Sequence, residues 1–320
     1  MTVEVVPYNE ALAMEWDSFC ATTLQGTLLH TRKFLSYHAD RFVDLSLLIK
    51  DDGRVIGMLP AALHRSDTSC VVSHPGATYG GIVHTGYLRG RRMLEAMSAI
   101  LRHYRDLGAK TLVYKSVPII YHRSLAQDDL YAIFRLGGRR TRCDLSSTIC
   151  LAARLPISER RRRSLRKALQ ANTQVIDCSD RLSEFWTILS ENLARKYEQR
   201  PVHTVSELEL LVRCFPNEIK LLVALVDGKI EAGTLLFQTP TCDHAQYIAA
   251  SQRGNQVCAL DAVFDYCITA ANSAEKRWFD FGISTEDSGL LLNEGLYGFK
   301  SEFGAGGTLY ESYELSCHNH

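Results

Sequence analysis

Apolar and polar positions along this chain fall into two similar series. Residues 46–63 read SLLIKDDGRVIGMLPAAL, and residues 220–238 read KLLVALVDGKIEAGTLLFQ. Each is a strand-length apolar run, an Asp-Gly turn and a second apolar run with an early glycine. Asp-Gly between such runs is the strongest short-range signal for a β-hairpin. The segments that follow also match. RRMLEAMSAILRHYRDLGAKTLVYKS sets Met93, Leu94, Met97, Ile100, Leu101 and Tyr104 at helical spacing, with Gly108 as a stop and TLVY as a strand. ALDAVFDYCITAANSAEKRWFDFG sets Leu260, Val263, Phe264, Cys267, Ile268 and Ala271 on the same kind of stripe before the strand WFDF. The two Asp-Gly turns lie about 175 residues apart, so the pattern reads as an internal duplication. Strand-rich segments alternating with single helices predict a mixed α/β fold, two tandem domains each with a central mixed sheet flanked by helices.

The join is visible in STICLAARLPISERRRRSLRKALQANTQV. Pro156 keeps Leu155 extended, and Ser158 is a suitable N-cap for a helix carrying Leu165, Ala168 and Leu169 inward. We therefore expect domains at 1–150 and 151–320. RLSEFWTILSENLARKY predicts a second helix, and Thr204 with Glu207 forms a capping box for a third.

Composition narrows the partners. The 320 residues carry 36 Lys plus Arg and 36 Asp plus Glu, so no global field draws the chain to DNA or to a membrane. The first residues are acidic and lack the long apolar core of a signal peptide. The longest apolar runs, such as LLVALV at 221–226, fall far short of the ~20 residues a membrane helix needs. Ten cysteines are irregularly spaced with no C-x-x-C pair, which gives no metal or redox motif. These features lead us to expect a cytoplasmic protein with reduced thiols, no metal and no membrane span.

Four stretches carry candidate chemistry. ERRRRSLRKAL concentrates Arg160, Arg161, Arg162, Arg163, Arg166 and Lys167, with Arg160, Arg163 and Lys167 on one helical face. Like charges at this spacing destabilise a helix by about 0.2–0.5 kcal/mol per pair, and arginine forks suit phosphate, so the run is either a solvated face or a phosphate contact. SHPGATYGGIVH, around Tyr79, Gly80 and Gly81, is either a ligand-lining loop or an ordinary connection. YIAASQRGNQV, with Tyr247, Arg253 and Gly254, runs from a strand through a polar loop to a helix start, where backbone amides can take an anion. Finally, NEGLYGFKSEFGA places Lys300 among Tyr297, Phe299 and Phe303, downstream of Asp280 in WFDFG. A buried Asp280 must be paired or protonated, and Lys300 is the candidate partner.

Taken in order, the YGG loop, RRRRSLRKALQANTQV, HAQYIAASQRGNQVCALDAVFDY and FDFGISTEDSGLLLNEGLYGFKSEFGA resemble the FemABX-like acyltransferases, tandem GNAT-fold proteins. The resemblance implies two GNAT-like domains and amide formation, an acyl or aminoacyl group passing to an amine. It further implies acyl-CoA or aminoacyl-tRNA as co-substrate, with no tightly bound cofactor, and a small-molecule amine or envelope precursor as acceptor. The family's aromatic, lysine and Phe-Gly pattern falls on Phe299, Lys300, Phe303 and Gly304. Lys300 would stabilise the oxyanion; the carboxylates nearest the motif, Glu286, Asp287 and Glu294, are the candidate bases, with substrate assistance an equal alternative. By the same likeness Arg160, Arg163 and Lys167 would hold phosphates; from the stretches themselves we expect Tyr79, Gly80, Gly81, Tyr247, Arg253, Gly254, Asp280, Tyr297 and Phe299 to contact substrate. One departure matters. CoA-binding relatives carry Q/R-x-x-G-x-G/A before the central helix, whereas here Gln252 stands only two positions before Gly254 with no second small residue in place. That weakens plain acetyl-CoA as donor and leaves room for charged tRNA, against which stands the neutral overall charge. The alternatives are a non-catalytic GNAT-like module that binds a phosphorylated ligand, and a nucleic-acid-binding protein.

Overall fold

The computed structural model describes residues 3–197 and 203–318. As far as Cys150 the strands are β1 (Val3–Pro7), β2 (Leu47–Asp51), β3 (Arg54–Leu59), β4 (Ala62–Leu63), β5 (Cys70–Val72), β6 (Val83–His84), β7 (Thr111–Lys115) and β8 (Arg139–Cys150). Helices α1 (Ala13–Thr22), α2 (Arg32–Leu35), α3 (Arg91–Asp106) and α4 (Asp128–Arg135) lie among them. Then come α5 (Glu159–Gln170), β9 (Gln174–Asp177), α6 (Leu182–Tyr197), α7 (Val205–Cys214), β10 (Ile219–Val226), β11 (Lys229–Gln238) and β12 (Cys242–Ala250). The chain continues through α8 (Gln252–Val257), α9 (Ala259–Ser273), β13 (Trp278–Ile283), β14 (Thr285–Glu286), β15 (Leu291–Leu292), α10 (Glu294–Ser301) and β16 (Gly306–Ser316).

The chain divides into two compact units. One holds residues 1–145, 285–291 and 309–320; the other holds 146–284 and 292–308. A single cut near residue 150 does not describe this division. The reason is pairing: β16 returns to lie antiparallel to β7, matching Ser312–Ser316 with Lys115–Thr111.

In the first unit β2 and β3 form the expected hairpin, flanked by β1 and β6, while β5 and β7 pair in parallel. The parallel pair requires a crossover, and α3 supplies it. Met93, Met97, Ile100, Leu101 and Tyr104 of α3 are fully buried in one core with Leu47, Ile49, Leu112 and Tyr114. In the first unit the hairpin lies in a four-stranded sheet, β1-β2-β3-β6, apart from the one that holds β5 and β7; in the second unit hairpin and parallel pair share one sheet, in the order β8-β13-β12-β11-β10-β9. There β12 and β13 are parallel, and α9 is their crossover. Its Val263, Phe264, Cys267, Ile268 and Ala271 are buried among Leu222, Leu236, Phe279 and Phe281.

The duplication shows in finer detail than the sequence pattern. Both Asp-Gly turns have positive φ at both central residues, 50° and 72° at Asp52-Gly53 and 52° and 76° at Asp227-Gly228, as a type I′ turn requires. Each second strand then carries one extra residue at the same place. Lys50 pairs with Val55 but Ile49 with Gly57, leaving Ile56 as a bulge; Leu225 pairs with Ile230 but Ala224 with Ala232, leaving Glu231. The capping residues behave as expected: Ser158 accepts from the Arg161 amide, and Thr204 and Glu207 form a reciprocal box. All ten cysteines are thiols, six of them buried. No helix among the described residues is long and apolar enough to cross a membrane.

The polar loop expected around Gly254 is instead a short helix, α8, capped by Ser251 and separated from α9 by a left-handed Cys258. Gly254 is buried, and a Cβ there would collide with the carbonyl oxygen of the bulge residue Glu231. Its role is close packing, not approach to a ligand. Gly298, inside α10, has no atom within 4 Å of where a Cβ would stand. The same change should therefore act in opposite directions. Gly254→Ala is expected to destabilise by about 1–3 kcal/mol through overpacking. Gly298→Ala should stabilise by about 0.5–1 kcal/mol through lower backbone entropy, and thermal denaturation of both variants checks the contrast.

Candidate active site

In the second unit β12 and β13 are hydrogen-bonded over only three residue pairs, Cys242–His244 with Trp278–Asp280. Beyond His244 and Asp280 the two strands no longer pair. Against β8, β13 also loses register between Asp280 and Ile283, so Phe281 and Gly282 form a bulge, with Gly282 at φ 78°. The bulge turns backbone carbonyls out of the sheet, and polar side chains gather where it does so.

Asp280 is completely buried. One carboxylate oxygen accepts from Ser146 Oγ and Thr148 Oγ1 of β8, each at 2.6 Å, and the other faces His244 Nδ1 at 2.7 Å. Burial alone would raise its pKa, but the contacts with His244, Ser146 and Thr148 outweigh that and hold it below its ordinary value. Asp280 is thus an acceptor only, which puts the hydrogen of the His244 contact on Nδ1.

Lys300 lies on α10, which begins at Asn293, whose side chain accepts from the Leu296 amide at 3.0 Å. The lysine is 3% exposed, and its ammonium donates to Gly282 O at 2.8 Å and Ile283 O at 2.7 Å. Gly282 O belongs to the bulge, and Ile283 O to the residue where pairing with β8 resumes. The expected direct pairing of Asp280 with Lys300 is therefore replaced: Asp280 takes His244 and two hydroxyls, while Lys300 caps the bulge. The two still sense one another. Burial lowers the Lys300 pKa to about 8, opposed by the negative charge of Asp280.

The other predicted residues divide by location. Phe299 and Phe303 pack with Phe264 of α9 at 6.2 and 5.4 Å between ring centres, so they extend the core under Lys300. Tyr297 is half-buried on the same helix. A Cβ at Gly304, φ 88°, would collide with the Leu155 carbonyl, so this glycine also serves packing. Of the proposed bases, Glu294 is exposed in the first turn of α10, six residues from Lys300 and hence on a different helical face. Glu286 and Asp287 are exposed and belong to the first unit.

The arginine helix α5 differs from expectation. Leu169 is 60% exposed, and the buried positions are Arg161 and Ala168. Arg161 holds Asp261 of α9 at 2.7 Å and Glu302 at 3.0 Å, with its guanidinium 4.8 Å from the Phe299 ring centre. An arginine replaces a leucine on the inward face because two carboxylates and an aromatic ring meet it there. Arg160 also bonds Glu302, at 2.8 Å, whereas Arg163 and Lys167 are exposed with no ion pair among the described residues. Asp261 occupies the first turn of α9, its pKa pushed up to about 6 by burial and opposed by Arg161. The anion-attracting end of that helix is thus filled by the chain's own carboxylate.

Arg253 is exposed on α8, and the Tyr247 hydroxyl lies 2.6 Å from His203 Nδ1, with Trp186 edge-on to its ring. The glycine loop belongs to the first unit and is packed within it. Tyr79 OH donates to Thr27, Gly80 O lies 2.6 Å from His30 Nε2, and Gly81 has φ 67° beside Tyr114. His244, Ser146, Thr148 and Arg161 were missed as site residues by sequence reasoning. The available signal was the Asp243-His244 pair at the start of the strand CDHAQYIAA.

A parallel strand pair bridged by a helix, present in each unit and diverging in the second, is the arrangement of a tandem GNAT fold. Comparison with known proteins agrees. Residues 158–300 match the family described as acetyltransferase (GNAT) domain. The structure of FemX superposes with a TM-score of 0.69 at 14% identity, covering 97% of this chain and 96% of that one. L-PGS from Bacillus licheniformis gives 0.60 at 11%, covering 87% and 85%, and a tandem GNAT protein from the clavulanic acid biosynthesis pathway gives 0.56 at 12%, covering 98% of both. No curated protein matches by sequence. These comparisons show the tandem GNAT fold, with an acetyltransferase (GNAT) domain matched over residues 158–300.

The buried lysine yields a measurable signature. An unfolded lysine titrates near 10.5 and Lys300 near 8, so between these values the unfolded chain binds more protons. Stability from this group therefore rises with pH across that window. Denaturant midpoints at pH 7.5 and 10 should shift in favour of the wild type over Lys300→Met at the higher pH. An unchanged difference would show that the ammonium is not desolvated.

Proposed function

We propose that the protein is an N-acyltransferase that moves an acyl or aminoacyl group to the amino group of a small-molecule or cell-envelope precursor. The observation that carries this reading is Lys300, buried at the bulge where β12 and β13 part, within the segment matched as a GNAT domain. An ammonium has three donors, and two go to Gly282 O and Ile283 O. The third is available to an oxyanion. When the amine attacks, the carbonyl oxygen becomes negative, and a fixed cation in a water-poor site stabilises that charge without reorganising.

For the donor, we favour an aminoacyl ester carried by tRNA over acyl-CoA. Asp261 fills the first turn of α9, and Gly254 is pressed on Glu231. A CoA pyrophosphate would need the amides at that helix start and would meet a carboxylate instead. Arg163 and Lys167, exposed on α5, are suited to contact a phosphate backbone in a way that reads no sequence. On this reading the reaction takes place in the cytoplasm, where charged tRNA and soluble precursors meet.

The test is transfer itself. Purified protein incubated with alanyl-tRNA, lysyl-tRNA or acetyl-CoA and a panel of amines, including amino-sugar nucleotides, should add the acyl mass to one amine. Failure with every donor would overturn the reading, and transfer from acetyl-CoA alone would reverse the donor preference. Lys300→Ala should lower kcat by about 10²–10³-fold, the usual cost of removing an oxyanion donor. Because Lys300 is protonated only below about 8, its contribution should fade as pH rises through that value. The wild-type rate should then fall on the alkaline side, and a rate that keeps rising to pH 10 would remove the cation from the mechanism.

A further inference from the structure

We propose that His244 is the general base of the transfer step and that Asp280 positions it; the assignment rests on the acyl-transfer reading above. An amine nucleophile must shed a proton as it bonds to the acyl carbon, so the site needs a base beside Lys300. The carboxylates nearest in sequence do not meet that need. Glu294 stands on another face of α10, and Glu286 and Asp287 are exposed.

His244 is well built for the task. It is the last residue of β12 paired with β13, so its ring stands where the two strands separate. Its side chain is 12% exposed, which leaves it within reach of a bound molecule. Asp280 accepts from Nδ1 at 2.7 Å and is itself fixed by Ser146 and Thr148, so the carboxylate cannot turn away. A carboxylate that fixes Nδ1–H leaves the lone pair on Nε2, the state a base requires. The next link is Gly282. A Cβ there would come 3.4 Å from His244 Cε1, the atom between the two ring nitrogens, and the carbonyl of Gly282 is the one Lys300 caps. Base and cation therefore flank the same two-residue bulge.

The step balances as follows. The amine nitrogen forms its bond to the acyl carbon while Nε2 takes the proton it loses. The bond from that carbon to the donor's ribose oxygen then breaks, and His244 passes the proton to the departing oxygen. The imidazole ends neutral, and the negative charge of Asp280 stabilises the imidazolium in between.

Two measurements test this. The first needs no substrate: long-range ¹⁵N–¹H NMR of labelled protein should show the His244 ring protonated on Nδ1, and Asp280→Asn should remove that preference. An Nε2–H ring in the wild type would overturn the proposal. The second uses whichever donor supports transfer. His244→Ala should lower kcat by about 10²–10⁴-fold with KM little changed, and added imidazole should restore part of the rate. His244→Gln, closer in shape, covers the case in which the alanine variant fails to fold. A variant rate within twofold of wild type would also overturn it. Absence of transfer by the wild type from every donor would count against acyl transfer, while the ring tautomer would still decide the pairing with Asp280.

Discussion

The site depends on one interruption in backbone pairing. Parallel strands β12 and β13 hold together for three residue pairs, and a bulge at Phe281 and Gly282 then leaves Gly282 O outside the ladder, next to Ile283 O. A displaced carbonyl inside a protein must find a donor or lose free energy comparable to a hydrogen bond. Lys300 is that donor, and its burial follows from the need. The cation's position is thus set by the sheet and not by any ligand, which is what preorganisation means physically.

The buried ions around it are arranged so that each has a specified partner. Asp280 has His244 and two hydroxyls, and Asp261 and Glu302 have Arg161. Removing one member of a buried pair leaves a charge uncompensated, typically at a cost of about 3–5 kcal/mol. Such networks fix geometry more than they add stability. They tie α5, α9 and α10 together beneath the same bulge.

Much of this architecture was legible in the chain. Asp-Gly between apolar runs marked both hairpins, and the stripes from Met93 to Tyr104 and from Val263 to Ala271 marked the crossover helices. Lys300 drew notice through its aromatic neighbours. What could not be read was the contact set. His244 and Asp280 meet only because a parallel register places them side by side, and residue periodicity carries no information on register across 36 positions. The bulge that frees Gly282 O leaves an ordinary WFDFG run in the sequence. On α5, hydrophobic spacing pointed to Leu169 as inward, because a pattern rule assigns arginine to solvent and cannot foresee the acids awaiting Arg161. The glycines misled for a related reason: Gly254 and Gly304 mark backbone pressed on backbone, which looks the same in sequence as backbone open to a ligand.

The paired bulges at Ile56 and Glu231 hold a last consequence. The same irregularity stands at the same distance from the same turn in both copies, yet one copy fills it with an aliphatic side chain and the other with a carboxylate engaged by Ser251. The backbone irregularity is thus indifferent to the side chain it carries: in one half it presents apolar surface to the core, in the other an acid to a neighbouring helix cap.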